Sequence, residues 1–447
     1  MHSFQRLIPG LLLTVGLLAA CSQSQTSGNA NLPGHSAPRY DYVVSVPLEL
    51  GDTRAAVEAQ LGGSVMTWPD NSCSASGDPS CTALLGFNRS SAAMKILSTT
   101  ASRPVFIERN KDVFTGGGEL TAFMGGSRII WASGGLQAWS GGSRIIWASG
   151  EYSPLPQNTG IWTKINLQAA QALAPNLGAG VTVAVIDTGL DLKHSAFQGA
   201  LSDPSTWYDF YAGDAVPQDE GTLGVGGFGH GTNVAGIVLQ IAPKAKIMPL
   251  RVLGPDGSGD VATIARAILW AAAKGAKVIN MSLGSAENSK VVQDAITQVK
   301  SQNVLVVSSA GNANANTITY PAALAADGGA GDFSLSVGSV DLNDRKSSFS
   351  NYSDKLEVVG PGENVYAPAP GELMAAWSGT SMAAPMASGA LALALAQPLN
   401  VQVKDLDNKL VDSAADVYAN NLNAAYNGKL GKKGRLDLVA FLKATLK

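Results

Sequence analysis

The sequence predicts an α/β protein whose main part is a doubly wound parallel sheet with helices on both faces, preceded by a small α+β domain. Continuous apolar and β-branched runs, such as Val181–Ile186, are typical of strands that are buried on both faces. These runs alternate with helical stretches, which favours parallel strands joined by crossover helices. The predicted strands are 181–186, 247–253, 277–281 and 304–308, and the predicted helices are 231–241, 260–273, 289–300 and 382–396.

Composition limits the number of domains and the kind of partner. A chain of 447 residues predicts two or three domains. Apolar residues make up 45% of the chain and charged residues 15%, below the ~25% charged residues of an average soluble domain, so a large core is available. The net charge of −3 and the lack of a basic run disfavour nucleic acid as a partner.

The first 40 residues predict export. Residues 1–20 are typical of a signal peptide, and their apolar run Leu7–Leu18 is too short to span a bilayer. Leu18-Ala19-Ala20-Cys21 resembles the lipobox of bacterial lipoproteins, in which the cysteine is acylated; the alternative is an ordinary cleavage site with a chance cysteine. Residues 21–40 are polar and predict a flexible tether. We therefore expect a membrane-anchored lipoprotein or an extracellular protein of a bacterium.

Residues 41–115 predict a small domain. Its pattern reads strand, helix, strand, strand, helix, strand, which is a split βαβ unit. A short helix is expected to begin at an Asp52 cap. Cys73 and Cys81 form an even pair in an exported chain, which predicts a disulfide that closes a short loop; the alternative is two free thiols.

Residues 116–158 predict a glycine-rich linker with an internal repeat. The decapeptide Gly125–Gly134 recurs unchanged as Gly141–Gly150. Two copies are too few for a solenoid. Each copy is a short β-prone core between glycines, so the favoured interpretation is a sticky linker.

Ser381 is the candidate nucleophile. It lies in Gly379-Thr380-Ser381-Met382-Ala383-Ala384-Pro385, where an uncharged, helix-forming run begins. The first N–H groups of a helix lack internal acceptors and carry partial positive charge, so they can stabilise an anion formed at that serine. Taken alone, the serine also fits a simple N-cap.

Only one histidine suits a catalytic base. His230 lies in Gly229-His230-Gly231-Thr232 at a helix entry, whereas His2, His35 and His194 have no comparable setting. The alternative for His230 is an exposed loop histidine. A serine nucleophile needs a base and a carboxylate that orients it, and Asp187 follows the first buried strand. Asp187 and Asn312 both follow predicted strands, where sites form in parallel sheets.

These motifs resemble those of subtilisin-like serine proteases. Val185–Gly189, Gly229–Thr232 and Gly379–Pro385 are similar to the family's three signatures, in the family's order Asp, His, Ser. Ser309–Asn312 resembles the oxyanion segment, and Val278–Gly284 resembles the strand that pairs with substrate. The resemblance implies a catalytic domain at residues 159–447, with a substrate-binding set of Ser282, Leu283, Gly284, Ala310 and Gly311.

The resemblance also implies roles for the other parts. Asp187, His230 and Ser381 are the implied triad, with Asn312 as oxyanion donor, and the substrate is a protein or peptide. Residues 41–115 are the implied propeptide, an intramolecular inhibitor that lays its last strand in the active site of a self-processing zymogen. The chemistry needs no cofactor; structural calcium is common in the family, but no ligands are assigned. The chain departs from the family at Asn233, where a second histidine is usual.

Two other functions are open at this point. A sedolisin-type acid peptidase also uses a Gly-Thr-Ser serine but replaces the histidine by a carboxylate, and the setting of His230 disfavours it. A non-catalytic binding protein on a protease fold is the second alternative, and the presence of all four chemical groups disfavours it.

Overall fold

The computed structural model describes residues 39–69, 81–101, 103–115, 128–129, 156–222, 225–326 and 333–447. The predicted signal peptide, Cys21, Cys73 and nearly all of the predicted linker with its repeats lie outside these residues. No helix in the described part of the chain is both long and apolar enough to cross a membrane.

The N-terminal unit has the predicted element order. Its elements are β1 (Tyr42–Pro47), α1 (Arg54–Leu61), β2 (Ser64–Thr67), β3 (Thr82–Phe87), α2 (Ser91–Thr100) and β4 (Phe106–Arg109). They form an antiparallel sheet in the order β2-β3-β1-β4. The Asp52 cap was wrong: Thr53 caps α1 through its side chain, because Asp52 instead pairs with Arg103. Cys81 is buried and disulfide-bonded.

The rest of the chain contributes fifteen further strands and eight α-helices among the described residues. The strands are β5 (Asp112–Thr115), β6 (Arg128–Ile129), β7 (Thr182–Asp187), β8 (Tyr208–Asp209), β9 (Lys246–Arg251), β10 (Ser258–Asp260), β11 (Val278–Met281), β12 (Leu283–Gly284), β13 (Leu305–Ser309), β14 (Ser334–Val340), β15 (Val358–Pro361), β16 (Val365–Ala369), β17 (Leu373–Ser378), β18 (Ala415–Asp416) and β19 (Gly434–Arg435). The helices are α3 (Thr159–Lys164), α4 (Leu167–Leu173), α5 (His230–Ile241), α6 (Val261–Ala273), α7 (Lys290–Lys300), α8 (Thr380–Leu395), α9 (Leu406–Asp412) and α10 (Leu438–Thr445).

Nine of the described strands form the central sheet, in the order β18-β19-β15-β14-β13-β11-β7-β9-β8. All neighbours in it are parallel except β18 and β19. Alternate residues of β7 face opposite cores: Val183 and Val185 pack with α5 and α8, while Ala184 and Ile186 pack with α6 and α7. Helices therefore cover both faces, and the predicted doubly wound α/β fold is confirmed.

The N-terminal unit packs its sheet against two helices of the larger region. Strands β1, β3 and β4 contact α7, and β2 contacts α6. Val43 and Leu84 are buried in the same apolar cluster as these helices. The two parts of the chain therefore share a core, and this contact fixes where the chain leaves β4 for β5.

Candidate active site

Asp187 and His230 meet at the carboxyl edge of the central sheet. Asp187 is the last residue of β7 and His230 is the first of α5. Their side chains are each 1% exposed, and His230 Nδ1 lies 2.7 Å from Asp187 Oδ1. A Cβ on Gly231 would lie 2.2 Å from the carbonyl oxygen of Gly189, so only glycine lets the helix start this close to β7. The carboxylate can therefore orient the imidazole and leave Nε2 for chemistry.

Asp219 anchors the start of the same helix. This buried carboxylate accepts hydrogen bonds from the Gly229 N–H at 3.1 Å and the Thr232 hydroxyl at 2.7 Å. Burial and, to a lesser extent, the nearby charge of Asp187 raise the pKa of Asp219 to about 7 against the opposing hydrogen bonds. The sequence analysis missed Asp219, because an acidic residue in a loop carries no signal of burial.

Ser381 is the second residue of α8, which packs against α5. Its hydroxyl donates to the carbonyl oxygen of Ser282 at 3.3 Å. Pro385 lies inside the helix and has no N–H, so it cannot donate to the Ser381 carbonyl four residues earlier. The Ser282 hydroxyl donates to that carbonyl instead, at 2.9 Å. Two reciprocal hydrogen bonds therefore fix Ser381 against the segment between β11 and β12.

Asn312 lies beside the start of α8, just beyond β13. Its Oδ1 accepts hydrogen bonds from the Thr380 N–H at 2.8 Å and the Thr380 hydroxyl at 3.0 Å. Its Nδ2 is buried and has no hydrogen-bond partner among the described residues. Fixing the oxygen aims the NH2 group away from Thr380. The side chain thus has the form of an oxyanion donor next to Ser381.

Trp377 covers the imidazole. Its ring packs edge-on against His230 with 5.7 Å between centroids, and its side chain is 1% exposed. An aromatic wall here excludes water from the His230–Asp187 pair. The sequence analysis did not identify Trp377, although it stands four residues before Ser381.

A strand of the N-terminal region occupies the groove beside Ser381. β5 lies between β10 and β12 and is antiparallel to both. On one side Phe114 pairs with Gly284 and Thr115 with Leu283. On the other side the partners are Ser258–Asp260, of which only Asp260 was assigned from the sequence, as the start of a helix. The groove therefore holds an extended peptide by backbone pairing along both edges.

The remaining predicted site residues fall into three groups. Ala310 and Gly311 follow β13; the Ala310 carbonyl accepts from Asn351, and the Gly311 N–H donates to the Thr380 hydroxyl at 3.1 Å. Asn233 lies outside the triad, and its Nδ2 donates to two backbone carbonyls of β16 and β17. Cys21 and Cys73 lie outside the described residues. No group of three or more His, Cys, Asp or Glu side chains in the described ranges is placed to hold a metal ion.

Comparison with known proteins agrees with this geometry. Residues 178–432 match the model of the subtilase family. Over 275 residues the chain is 37% identical to Subtilisin Savinase of Lederbergia lenta, covering 58% of this chain and 93% of the relative. It is also 36% identical over 241 residues to Thermitase of Thermoactinomyces vulgaris, covering 52% of this chain and 80% of the relative. The chain belongs to the subtilase family and is a subtilisin-like serine endopeptidase.

Proposed function

We propose that this protein is an exported endopeptidase made as a self-processing zymogen, in which Ser381, His230 and Asp187 form the triad. One observation carries the proposal: the chain's own β5 is paired in the groove and runs toward Ser381. The pairing ends with Thr115 opposite Leu283, one residue from Ser282, whose carbonyl accepts the Ser381 hydroxyl. The groove thus presents a peptide to the nucleophile.

In the proposed reaction the Ser381 hydroxyl leaves its hydrogen bond with the Ser282 carbonyl and turns to His230 Nε2, which has no partner among the described residues. Ser381 Oγ attacks the substrate carbonyl carbon while its proton passes to His230 Nε2. Asn312 Nδ2 and the Ser381 N–H hold the oxyanion, and Asp187 stabilises the imidazolium. His230 then gives the proton to the leaving amine. The acyl-enzyme is hydrolysed by a water molecule that His230 deprotonates, so no cofactor enters the chemistry.

The substrate is a protein or peptide that binds as an added strand. Backbone pairing with β10 and β12 gives affinity that depends little on sequence. Beside this slot lies a largely apolar pocket, lined by residues that include Val261, Ile264, Leu283, Val292 and Leu324. We expect a preference for an apolar side chain several residues before the cleaved bond.

The N-terminal unit acts as the inhibitor in this proposal. Its Glu108 accepts hydrogen bonds from Ser289 and from the Lys290 N–H at the start of α7. Its Asn110 Oδ1 accepts from the Ala262 N–H at the start of α6, at 3.1 Å. Helix starts have unpaired N–H groups, so side-chain acceptors there stabilise the contact. These bonds support a unit that binds firmly and delivers β5 to the groove.

Loss of self-processing tests the proposal. The wild-type chain is expected to cut itself between Val113 and Asn158. Ser381→Ala should accumulate as a form larger by about 9–14 kDa, at ~0.1 kDa per residue counted from Cys21. Active enzyme added in trans should restore cleavage if the linker is accessible. Normal processing of Ser381→Ala in a host without other proteases would contradict the proposal.

The pH profile separates this mechanism from that of an acid peptidase. A neutral imidazole base requires kcat/KM to rise toward neutral pH. Steady-state kinetics with a peptide substrate measure this directly. Activity that peaks below about pH 4 would favour a carboxylate base instead.

The anchor is tested by the lipobox cysteine. If Cys21 is acylated, Cys21→Ser should move the protein from the membrane fraction to the soluble fraction. Ser22→Ala is the matched control and should keep the wild-type distribution. Equal membrane partitioning of the wild type and Cys21→Ser rejects the lipoprotein proposal and leaves export without an anchor.

A further inference from the structure

Two residues of the first decapeptide copy reach the active site in this fold. Within this copy, Arg128–Ile129 forms β6, which pairs antiparallel with the end of β17. Arg128 lies opposite Ser378 and Ile129 opposite Trp377. The sheet order is β16-β17-β6, so Arg128–Ile129 covers the outer edge of β17 at Trp377 and Ser378. Ser378 stands three residues before Ser381, which places this edge at the wall of the reaction centre.

Strand direction identifies which side of the cleaved bond this edge serves. β5 runs toward the nucleophile, since Phe114 pairs with Gly284 and Thr115 with Leu283, one step from Ser282. β6 runs away from it, since Arg128 pairs with Ser378 and Ile129 with the more distant Trp377. A single peptide bound across Ser381 would run toward the nucleophile along β12 and away from it along β17. β10 and β12 therefore hold the acyl side, and β17 holds the leaving-group side.

Chain length shows that β6 is not the direct continuation of β5. Residues 116–127 separate the two strands, and twelve residues extend to about 40 Å. Crossing one nucleophile in extended form needs only a few residues at ~3.3 Å each. The register of β5 therefore does not determine where β6 pairs. The pairing must come from the affinity of the repeat for this edge of β17.

The second copy has the same sequence, so we expect it to have the same affinity for β17. Gly141–Gly150 repeats all ten residues, and Arg144 and Ile145 correspond to Arg128 and Ile129. An exposed strand edge binds an extended segment through backbone hydrogen bonds. We propose that the outer edge of β17 is a docking site for either copy of the decapeptide, which occupies the leaving-group side of the groove as a second inhibitory segment. The inhibitory part of this proposal depends on the proposed protease function, whereas the docking does not.

Two equal copies on one tether have a measurable consequence. Each copy docks on β17 with its own equilibrium constant. The ratio of chains with a covered β17 edge to chains with an uncovered edge is the sum of these two constants. Removing one of two equivalent copies should lower that ratio about 2-fold, whereas removing both should abolish it. Redundancy of this kind distinguishes a functional repeat from a linker that touches β17 at one place.

Hydrogen exchange measures the docking without any proteolysis. The protein is the full chain with Ser381→Ala, and the readout is exchange of the β17 amides, residues 373–378. Paired prolines remove the backbone donors: R128P/I129P in the first copy, R144P/I145P in the second, and all four together. Leu136→Pro/Gln137→Pro, between the copies, is the matched control. We expect exchange of the β17 amides to be at most about 2-fold faster with either proline pair and at least 10-fold faster with all four changes. The control should leave the exchange rate unchanged.

The opposite results would overturn the proposal in separate ways. Unchanged protection in the fourfold variant means that the decapeptide does not dock on β17. Full loss of protection with R128P/I129P alone means that the second copy does not dock. Both results are independent of whether Ser381 is the nucleophile.

A free peptide tests the inhibition. The decapeptide Gly-Gly-Ser-Arg-Ile-Ile-Trp-Ala-Ser-Gly, added to the self-processed wild-type enzyme, should raise the apparent KM for a peptide substrate with kcat unchanged. The same peptide with prolines in place of Arg-Ile should be inactive. Equal effects of the two peptides would refute strand addition as the mode of binding. An enzyme without peptidase activity would refute the proposed function instead, and the exchange result would stand.

Discussion

Polar groups lack hydrogen-bond partners at the reaction centre, whereas they are paired at the contact with the N-terminal unit. At the reaction centre, the buried atoms His230 Nε2, Asp187 Oδ2 and Asn312 Nδ2 have no hydrogen-bond partner within the described ranges. At the contact, Glu108 accepts two hydrogen bonds at the start of α7, and Asn110 accepts one at the start of α6.

This difference distinguishes groups that take part in the chemistry from groups that hold the N-terminal unit in place. An unpaired buried polar group costs about 1–3 kcal/mol, so a fold keeps it only where something else is gained. At the reaction centre the gain is a donor or acceptor that is ready for the transition state. At the contact, complete pairing adds affinity and geometry. Changes to the first group should therefore lower kcat, and changes to the second should weaken binding.

The largest effect is expected at Asn312. Asn312→Ala removes the Nδ2 donor, so kcat should fall by roughly 10²–10³ with KM little changed. Steady-state kinetics on self-processed or trans-processed enzyme measure this split. Asn233→Ala is the matched control, since its Nδ2 bonds two backbone carbonyls; it should lower the thermal midpoint and leave kcat within a few-fold. An unchanged kcat in Asn312→Ala would show that Nδ2 does not face the oxyanion.

A smaller effect, on binding alone, is expected at Glu108. Glu108→Ala removes two hydrogen bonds that hold the N-terminal unit on α7, so the cleaved unit should dissociate about 10–100-fold faster. The lag before activity appears after self-processing reports this rate, and kcat of the released enzyme should be unchanged. Glu49→Ala, an exposed residue of the same unit, is the control. An unaltered lag in Glu108→Ala would place the binding energy elsewhere in the contact.

The sequence predicted the sheet, and it placed the proposed triad residues at strand and helix ends, because these signals are local. Val181–Ile186 is apolar or β-branched throughout, and the structure has β7 at Thr182–Asp187. Helix α8 begins at Thr380, two residues before the predicted start, because the Thr380 N–H is capped by Asn312. The glycine and the apolar run that follows it predicted a helix start at Ser381, whereas its role as nucleophile was predicted only together with the Asp187 and His230 motifs.

What the sequence could not predict depends on pairing between distant segments. β5 joins β10 across about 145 residues, and the short polar run Ser258–Asp260 has no strand pattern of its own. β6 joins β17 across about 250 residues. The role of Trp377 follows from its contact with His230, and that of Asp219 from its burial. Neither the contact nor the burial can be deduced from the local sequence.

Asp219 sharpens the comparison, because it is fully paired and yet lies at the reaction centre. If pairing means a structural role, Asp219→Asn should change stability and its pH dependence more than kcat. The pKa of the folded-state carboxyl is about 7, well above the ordinary value of 3.8. Below pH 4 both folded and unfolded chains hold this proton, and the group contributes nothing. As pH rises from 4 to 7 the unfolded chain loses the proton first, so stability falls; above pH 7 the loss is constant.

The Asp219→Asn variant has no proton to lose at this position. Its free energy of unfolding should therefore fall less steeply between pH 4 and 7, and the slopes of wild type and variant should differ by at most about 1.4 kcal/mol per pH unit. Asp209 and Glu357 have pKa values raised by burial in the same direction, to about 6 and 8, so only the difference between wild type and variant isolates Asp219. Urea unfolding of Ser381→Ala chains with and without the change measures that difference, and Asp412→Asn, an exposed carboxylate, is the control. In the active chain, a carboxyl with a pKa of about 7 is largely uncharged on the acid side of neutrality, so the acid limb of kcat/KM should stay within about 0.5 unit of its wild-type position and kcat within 10-fold. Parallel stability curves together with a large loss of kcat would show that Asp219 belongs to the reaction centre in function as well as in place, and that full pairing does not exclude a part in the chemistry.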